Sequence, residues 1–294
     1  MLCATCIVTV PRSFTKEERK RLYNKFEPYF VKEFSRYVTW EHVICFPFPP
    51  DSDILHTAIQ EIYNRELYYH LISKTYYTKK ELETVSFFQM GVRNPLELEG
   101  VDASRYNTQY TGGCPNCGRG KHLIGNLFID RKFIRKYRIG MLEPNYFVSE
   151  EIRQLIEEAG LTGVSFEQEV RDYKGRELPQ PFYVMNIHHT LPPLSPSTWL
   201  EDTKKRQMVS SCGHGTIYLR SDLQYERKKL EGAMDFNLTA EILNNDQIPA
   251  LVVSAKTRKV FREHKVGWAL YTPVLLTDGV VGTNPYLNPP PGLG

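Results

Sequence analysis

The chain has 294 residues, 41% of them hydrophobic and 24% charged, which excludes wholesale disorder and leaves room for two ordinary domains or one large one. Lys plus Arg number 37 against 34 Asp plus Glu, a balance of +3, far below the surplus of a protein built to coat nucleic acid. No apolar run reaches the length of about 18 residues that a transmembrane helix needs.

The start, Met1 to Val10, lacks a basic n-region and so does not read as a signal peptide. Its residues 2–10 read as a buried strand, apolar and rich in β-branched side chains. Thr15 to Glu18 is a capping box, and Leu22, Phe26, Tyr29, Phe30 and Phe34 follow at helical spacing, predicting an amphipathic helix over about 16–36. Val38–Phe48 reads as strand, a mixed segment carries Ile54, Ile59 and Ile62, and Leu67–Tyr77 reads as strand again. Thr78 to Glu81 is a second capping box, opening a short helix expected to run through Phe88.

Glycines then crowd a stretch from Tyr106 to His122. Beyond it come a strand at Leu123–Ile129, a basic run (Arg131, Lys132, Arg135, Lys136, Arg138) with Phe133 and Tyr137 interleaved, and a strand at Tyr146–Ser149. Ser149 is placed to N-cap a helix whose first turn carries Glu150 and Glu151, where the dipole favours negative charge. Gly160 and Gly163 stop it, and Val164–Val170 reads as the exit strand. Residues 190–198 hold three prolines and read as a linker or an extended connection between halves, and Pro285–Gly294 reads as a loose tail.

The chain also repeats itself. Phe147-Val-Ser149-Glu-Glu-Ile-Arg153, with Glu158, matches Val252-Val-Ser254-Ala-Lys-Thr-Arg258, with Glu263, at an offset of 105. One gap later Gly163 and Val170 match Gly267 and Val274 at 104, and upstream Cys117-Gly118 has a counterpart in Cys212-Gly213. Ser149 and Ser254 are both expected to cap a helix, with Ile152, Leu155 and Ile156 buried and Val260 and Phe261 their counterparts in the second repeat. The expected fold is therefore α+β: an N-terminal α+β region (1–105), a first strand–helix–strand repeat with a cysteine knuckle (106–190), a Pro-rich connection (191–206), a second repeat (207–278) and a Pro/Gly-rich tail (279–294).

Cys114-Pro-Asn-Cys117-Gly-Arg-Gly carries the strongest chemistry. Two thiolates three residues apart on a glycine-bearing turn can face one ion, which is half of a tetrahedral zinc site. Cys212 and His214 are the expected other half, giving a Cys3His set, with His122 or His188 as alternatives to His214. Three thiolates make a closed, structural site rather than one that activates water. Neither the His-x-Glu of the zinc deaminases nor the helix-opening dithiol of the thioredoxins is present. Cys3 and Cys6 sit in a strand, where residues three apart face opposite sides, so these and Cys45 read as core thiols. Six cysteines are too few for a disulfide scaffold, and a reducing cytoplasm is expected.

With those residues in view, the chain resembles the bacterial double-CXXCG proteins, whose members include immunity proteins of polymorphic and contact-dependent toxin systems. The resemblance runs from about residue 78 to 276, through Tyr106…Cys114-Pro-Asn-Cys117-Gly, Phe147-Val-Ser149…Gly160-Leu-Thr-Gly163, and in the second half Cys212-Gly, Asp235-Phe…Thr239-x-Glu241 and Val252-Val-Ser254…Gly267-Trp…Pro273-Val274. The second motif departs from the pattern, since Val209 stands where its first cysteine belongs. The resemblance implies one structural zinc and a non-enzymatic inhibitor that binds and neutralises a cognate protein toxin. Tyr23, Phe26, Tyr29, Tyr37 and Trp40, in the N-terminal 75 residues outside the resemblance, are the expected contact aromatics. The alternatives are a zinc-containing nucleic-acid binder using the 131–138 run, and an enzyme whose site is too scattered to read, with His188 or Glu241 in it.

Overall fold

The computed structural model describes residues 2–9, 15–29, 39–40, 43–48, 53–65, 68–75, 77–92, 108–116, 118–134, 138–142, 144–198, 200–202, 217–243, 249–267 and 269–278. The chain folds as mixed α+β, with several small sheets and few helices.

The first unit is a four-stranded antiparallel sheet ordered β2-β3-β1-β4, from β1 (Leu2–Thr9), β2 (Thr39–Trp40), β3 (Val43–Phe48) and β4 (Tyr68–Thr75). Helices α1 (Lys16–Phe26) and α2 (Asp53–Asn64) pack on it. The Thr15 capping box forms in full, Thr15 Oγ1 accepting from the Glu18 amide at 3.1 Å and Glu18 returning the bond at 2.7 Å. The helix is shorter than its periodicity predicts: it closes at Phe26 and passes into a 3-10 turn, Glu27–Tyr29. Pro28 has no N–H to continue the ladder. The segment around Ile54, Ile59 and Ile62 forms helix α2, because Leu55, Ala58, Ile59 and Ile62 fall on one face. These four join Leu22, Phe26, Cys6, Val8 and Phe48 in a core of their own.

A second full capping box, Thr78 with Glu81, opens α3 (Lys79–Thr84). The helix does not reach Phe88. Val85 is already extended, and the aromatics Phe87 and Phe88 instead open β5 (Phe87–Val92), paired on both edges.

Thirteen strands and three helices come next among the described residues: β6 (Gln109–Gly112), β7 (Lys121–Ile124), β8 (Leu127–Ile129), α4 (Arg131–Ile134), β9 (Ile139–Leu142), β10 (Asn145–Ser149), α5 (Glu150–Glu158), β11 (Val164–Ser165), β12 (Val170–Asp172), β13 (Phe182–Ile187), β14 (Leu200–Asp202), β15 (Ile217–Leu219), β16 (Gln224–Glu226) and, after β17 (Phe236–Leu238) and β18 (Leu251–Ser254), α6 (Ala255–Glu263). The last strands are β19 (Ala269–Pro273) and β20 (Leu275–Thr277). The segment read as one strand over Leu123–Ile129 is broken at Gly125-Asn126 into β7 and β8. The exit strand over Val164–Val170 is likewise two short strands in different sheets.

Two four-stranded antiparallel sheets carry this part, ordered β9-β10-β13-β11 and β17-β18-β5-β19. Their ladders agree residue by residue. Ser149 faces Phe182 as Ser254 faces Phe87; Val148 faces Ile139 as Val253 faces Phe236; Val164 faces Ile187 as Ala269 faces Val92. Two parallel pairs correspond in the same way, Leu127 facing Val170 and Gln224 facing Leu275. The third strand is reached differently: β13 follows the other strands of its sheet in the chain, whereas β5 precedes all of its own. The inner faces share one core, with Phe88, Met90, Val148, Ile152, Ile156, Phe236, Val253 and Phe261 among its members. The outer faces pack on separate smaller clusters around Phe147 and Phe182, and around Tyr225 and Val252.

Both nine-residue helices follow a serine at the N-cap with the same extended backbone, but only one serine caps with its side chain. Ser254 Oγ accepts from the Thr257 amide at 3.1 Å and donates to Asp235 at 2.5 Å. Ser149 Oγ is buried, with no hydrogen-bond partner among the described residues. The ladder register puts Arg138 where the second sheet has Asp235, so the carboxylate that orients Ser254 has no counterpart there. Ile152, Ile156 and Phe261 are buried, Leu155 and Val260 half-buried. The helix ends are tied crosswise: Lys256 of α6 donates to the Gly160 carbonyl beyond α5 at 3.0 Å, while Arg138 bridges Glu151 of α5 and the Lys265 carbonyl beyond α6 at 2.5 and 2.6 Å. The Pro-rich segment 190–198 is packed and closes in a turn, the Thr198 amide donating to the Ser195 carbonyl at 2.8 Å. Leu191, Leu194, Ser195, Ser197 and Thr198 are buried, and the Leu194 amide donates to Glu241 at 2.9 Å.

Candidate metal centre

Cys114 sits at the tip of the antiparallel hairpin β6–β7. The tip is shaped by hydrogen bonds from the Cys114 amide to the Arg119 carbonyl and from the Gly118 amide to the Cys114 carbonyl, both 2.8 Å. The Gly118 amide is therefore committed to a carbonyl and not to a sulfur. Gly113 is fixed by geometry: φ is +76°, and a Cβ there would lie 2.7 Å from the Lys121 nitrogen. The hairpin is anchored by Tyr110, whose hydroxyl accepts from Asn145 Nδ2 of β10 at 2.9 Å, with Lys121 over its ring at 4.6 Å. Burial pushes the Tyr110 hydroxyl up to about 12.

Of the four expected ligands, only Cys114 lies among the described residues, as a half-buried free thiol. Cys117, Cys212 and His214 lie outside them. The segment that holds Cys212 and His214 connects β14 to β15, which pair antiparallel as β6 and β7 do. His122 stands exposed on β7, opposite Thr111. His188 is elsewhere, on the far edge of the first sheet, with Nε2 2.7 Å from Ser165 Oγ. Among the described residues no group of three His, Cys, Asp or Glu side chains is placed to hold a metal. Cys6 is a core thiol, fully buried; the side chains of Cys3 and Cys45 lie outside the described residues.

The other candidate groups are locally engaged. The Ser165–His188 pair has Glu167 3.3 Å from the serine, and among the described residues no carboxylate bonds the imidazole. His189 is held by Asn237 at 2.8 Å, and Glu241 caps the Leu194 amide. In the basic run, Arg131 donates its amide to Asp172 and Arg138 ties the helices, while residues 135–137 lie outside the described residues. Asp172 is buried and accepts from Arg176 at 2.7 Å and from three backbone amides, which holds its carboxyl far below the usual range. Of the N-terminal aromatics, Phe26 is buried edge-on against Phe48 at 6.1 Å, and Tyr23 packs on the same core. Both are therefore structural, while Tyr29 is half exposed.

No family model matches the sequence, and no curated protein is significantly similar to it. Among the described residues no helix is long and apolar enough to cross a membrane.

Proposed function

We propose that this chain is a zinc-stapled binding scaffold of the immunity type, which neutralises a cognate bacterial protein toxin by stoichiometric association in the cytoplasm. The scaffold is read as two copies of one unit, β5–β12 and β13–β20, that have exchanged their first strands. Phe-Phe-Gln-Met-Gly-Val at 87–92 then corresponds to Phe-Tyr-Val-Met-Asn-Ile at 182–187, and each strand completes the other copy's sheet. The observation that carries the metal reading is the place of the two cysteine segments, each joining the paired strands of a corresponding hairpin. Cys114 and Cys117, in the segment that joins β6 to β7, and Cys212 and His214, in the segment that joins β14 to β15, make up the proposed ligand set. A closed set of three thiolates and an imidazole suits structure, because such binding is coupled to folding. The toxin-binding part of the reading rests on the resemblance to double-CXXCG proteins.

The test is elemental analysis together with coexpression. Protein purified without added metal is expected to carry about one zinc per chain, and Cys114→Ser is expected to lose it and to melt at lower temperature. A stable, metal-free parent protein overturns the metal reading. Coexpression with the toxin-like product of a neighbouring gene is expected to rescue growth and give a complex that survives gel filtration. Rescue at far substoichiometric amounts overturns the binding reading in favour of catalysis.

A further inference from the structure

Helices α5 and α6 occupy the same place on corresponding strands, yet their charge is inverted. Helix α5 carries Glu150, Glu151, Glu157 and Glu158 against Arg153, whereas α6 carries Lys256, Arg258, Lys259 and Arg262 against Glu263. One cation is common to both. Arg153 lies over the Tyr183 ring at 5.1 Å, and Arg258, at the matching position, lies over the matching ring of Phe88 at 4.5 Å.

Their partners differ. Arg153 is held by Glu150 through two bonds of 2.7 Å and by Glu157 through bonds of 2.7 and 2.8 Å. The corresponding positions on α6 are Ala255 and Arg262, so both carboxylates are gone and one is replaced by a cation. Arg258 Nε is buried and has no hydrogen-bond partner among the described residues. A buried, unpaired guanidinium N–H is costly unless something supplies an acceptor. Beside it a groove of about 490 Å³ opens between α6 and α3, floored by Leu82 and Ala255 and edged by Lys256, Lys259 and Arg262. Two carboxylates also line it. Glu263 faces Lys259 at 4.0 Å, and no salt bridge joins Glu83 to Arg258 among the described residues.

We propose that this groove is a docking site for an acidic segment of a partner protein, a glutamate or aspartate of which takes, on Arg258, the seat that Glu150 and Glu157 fill on Arg153. A carboxylate fits because the same chain shows that occupant on the same arginine-over-ring platform, with planar two-point geometry. Lys256, Lys259 and Arg262 add the complementary field that speeds encounter and selects acidic over neutral segments. Burial, with the neighbouring Arg262, holds the Arg258 guanidinium below its ordinary range, Tyr271 and Glu83 acting in the opposite direction. The inference shares with the proposed function only the premise of a protein partner, and it needs neither the zinc nor the toxin.

The experiment is fluorescence anisotropy of the full chain with a labelled twelve-residue peptide alternating Glu and Ala, run beside a single-stranded DNA oligonucleotide of equal charge and inorganic phosphate as competitor. The peptide is expected to bind in preference to the DNA, and Arg258→Gln to weaken it by about tenfold or more. Because Arg258→Gln also disturbs a packed ring, the deciding variant is the double substitution Ala255→Glu with Arg262→Glu. It rebuilds the α5 arrangement, so it is expected to keep or raise the melting temperature while abolishing peptide binding. Unchanged peptide binding in that folded double variant overturns the proposal. So does DNA binding as tight as the peptide's, which would make the face a general polyanion surface. Growth rescue and metal content are read separately, so failure of the groove leaves the immunity reading standing, and the reverse holds too.

Discussion

The two sheets of the 77–278 region agree where they are buried and disagree where they are exposed. The ladders keep register through twelve strands, and both helices leave their strands at a serine and end in the same way. The Leu161 amide returns to the Ile156 carbonyl at 3.0 Å, and the Val266 amide to the Phe261 carbonyl at 2.8 Å. The outward helix faces share an arginine on a ring and a final glutamate, Glu158 and Glu263, but their net charge is opposite in sign. Packing density explains the first half of this, since a core position tolerates few side chains. The second half teaches that solvent-facing positions, free of that constraint, are where the two helices differ: Arg153 is closed by carboxylates of its own helix and Arg258 is not.

The largest expected effect tests whether the shared core is one unit. Phe261 and Ile156 face the same cluster from the two helices, and Phe261 lies 6.2 Å from Phe236. Phe261→Ala is expected to cost about 3–5 kcal/mol and Ile156→Ala about 2–5 kcal/mol. Both should lower the midpoint of a single denaturation transition followed by near-ultraviolet circular dichroism. Two separable transitions, one moved by each variant, would break the comparison, because they would mean that each sheet keeps its own core.

Much of this was legible from residues. The capping boxes at Thr15 and Thr78, the helix after Ser149 and its echo after Ser254 all follow from local hydrogen-bond chemistry and apolar spacing. The end of α1 could have been read at Pro28. The pairing of β5 with the second sheet was not legible: the matching strands 87–92 and 182–187 are 95 residues apart, the offset of Cys117 and Cys212, whereas the helices are 105 apart, so a search at the helices' offset passes over them. The ladders also hold 105 through β19 and β20, where sequence matching of Gly163 with Gly267 and Val170 with Val274 slips by one. The groove at Arg258 escaped because its signal is a missing partner, which appears only once α6 is laid on α5.

A smaller effect sharpens the comparison at the helix ends. The residue after each helix cap is left-handed, Gly160 with φ of +56° and Lys265 with φ of +51°. Glycine takes that conformation at no steric cost, while a residue with a Cβ is strained there. Lys265→Gly is expected to raise stability and Gly160→Ala to lower it, each by about 1 kcal/mol. Melting temperatures would therefore move in opposite directions for equivalent positions. Equal signs would show that the two ends are not the same motif.

The smallest expected effect separates the helices by pH. Glu150, held by two bonds from Arg153 and by one from Gln154, has its carboxyl lowered from 4.5 to about 2, the Arg153 bonds being the main cause. A carboxyl lowered by folding contributes stability that is fully present above its unfolded value and is lost as pH falls through its folded value. The contribution of Glu150 is thus expected to be constant above about pH 5 and to fade between about pH 4.5 and 2. The second helix has Ala255 at this position and nothing there to titrate. Melting temperature measured from pH 6 to pH 2, in the parent chain and in Glu150→Gln, isolates the difference: the two curves are expected to converge at the acid end. Ala255→Glu should give the second helix the same window, because Arg258 then receives the carboxylate that its counterpart already has. If Glu150→Gln runs parallel to the parent at every pH, the Arg153 pairing is not what distinguishes the helices, and the contrast drawn between a closed and an open arginine loses its basis.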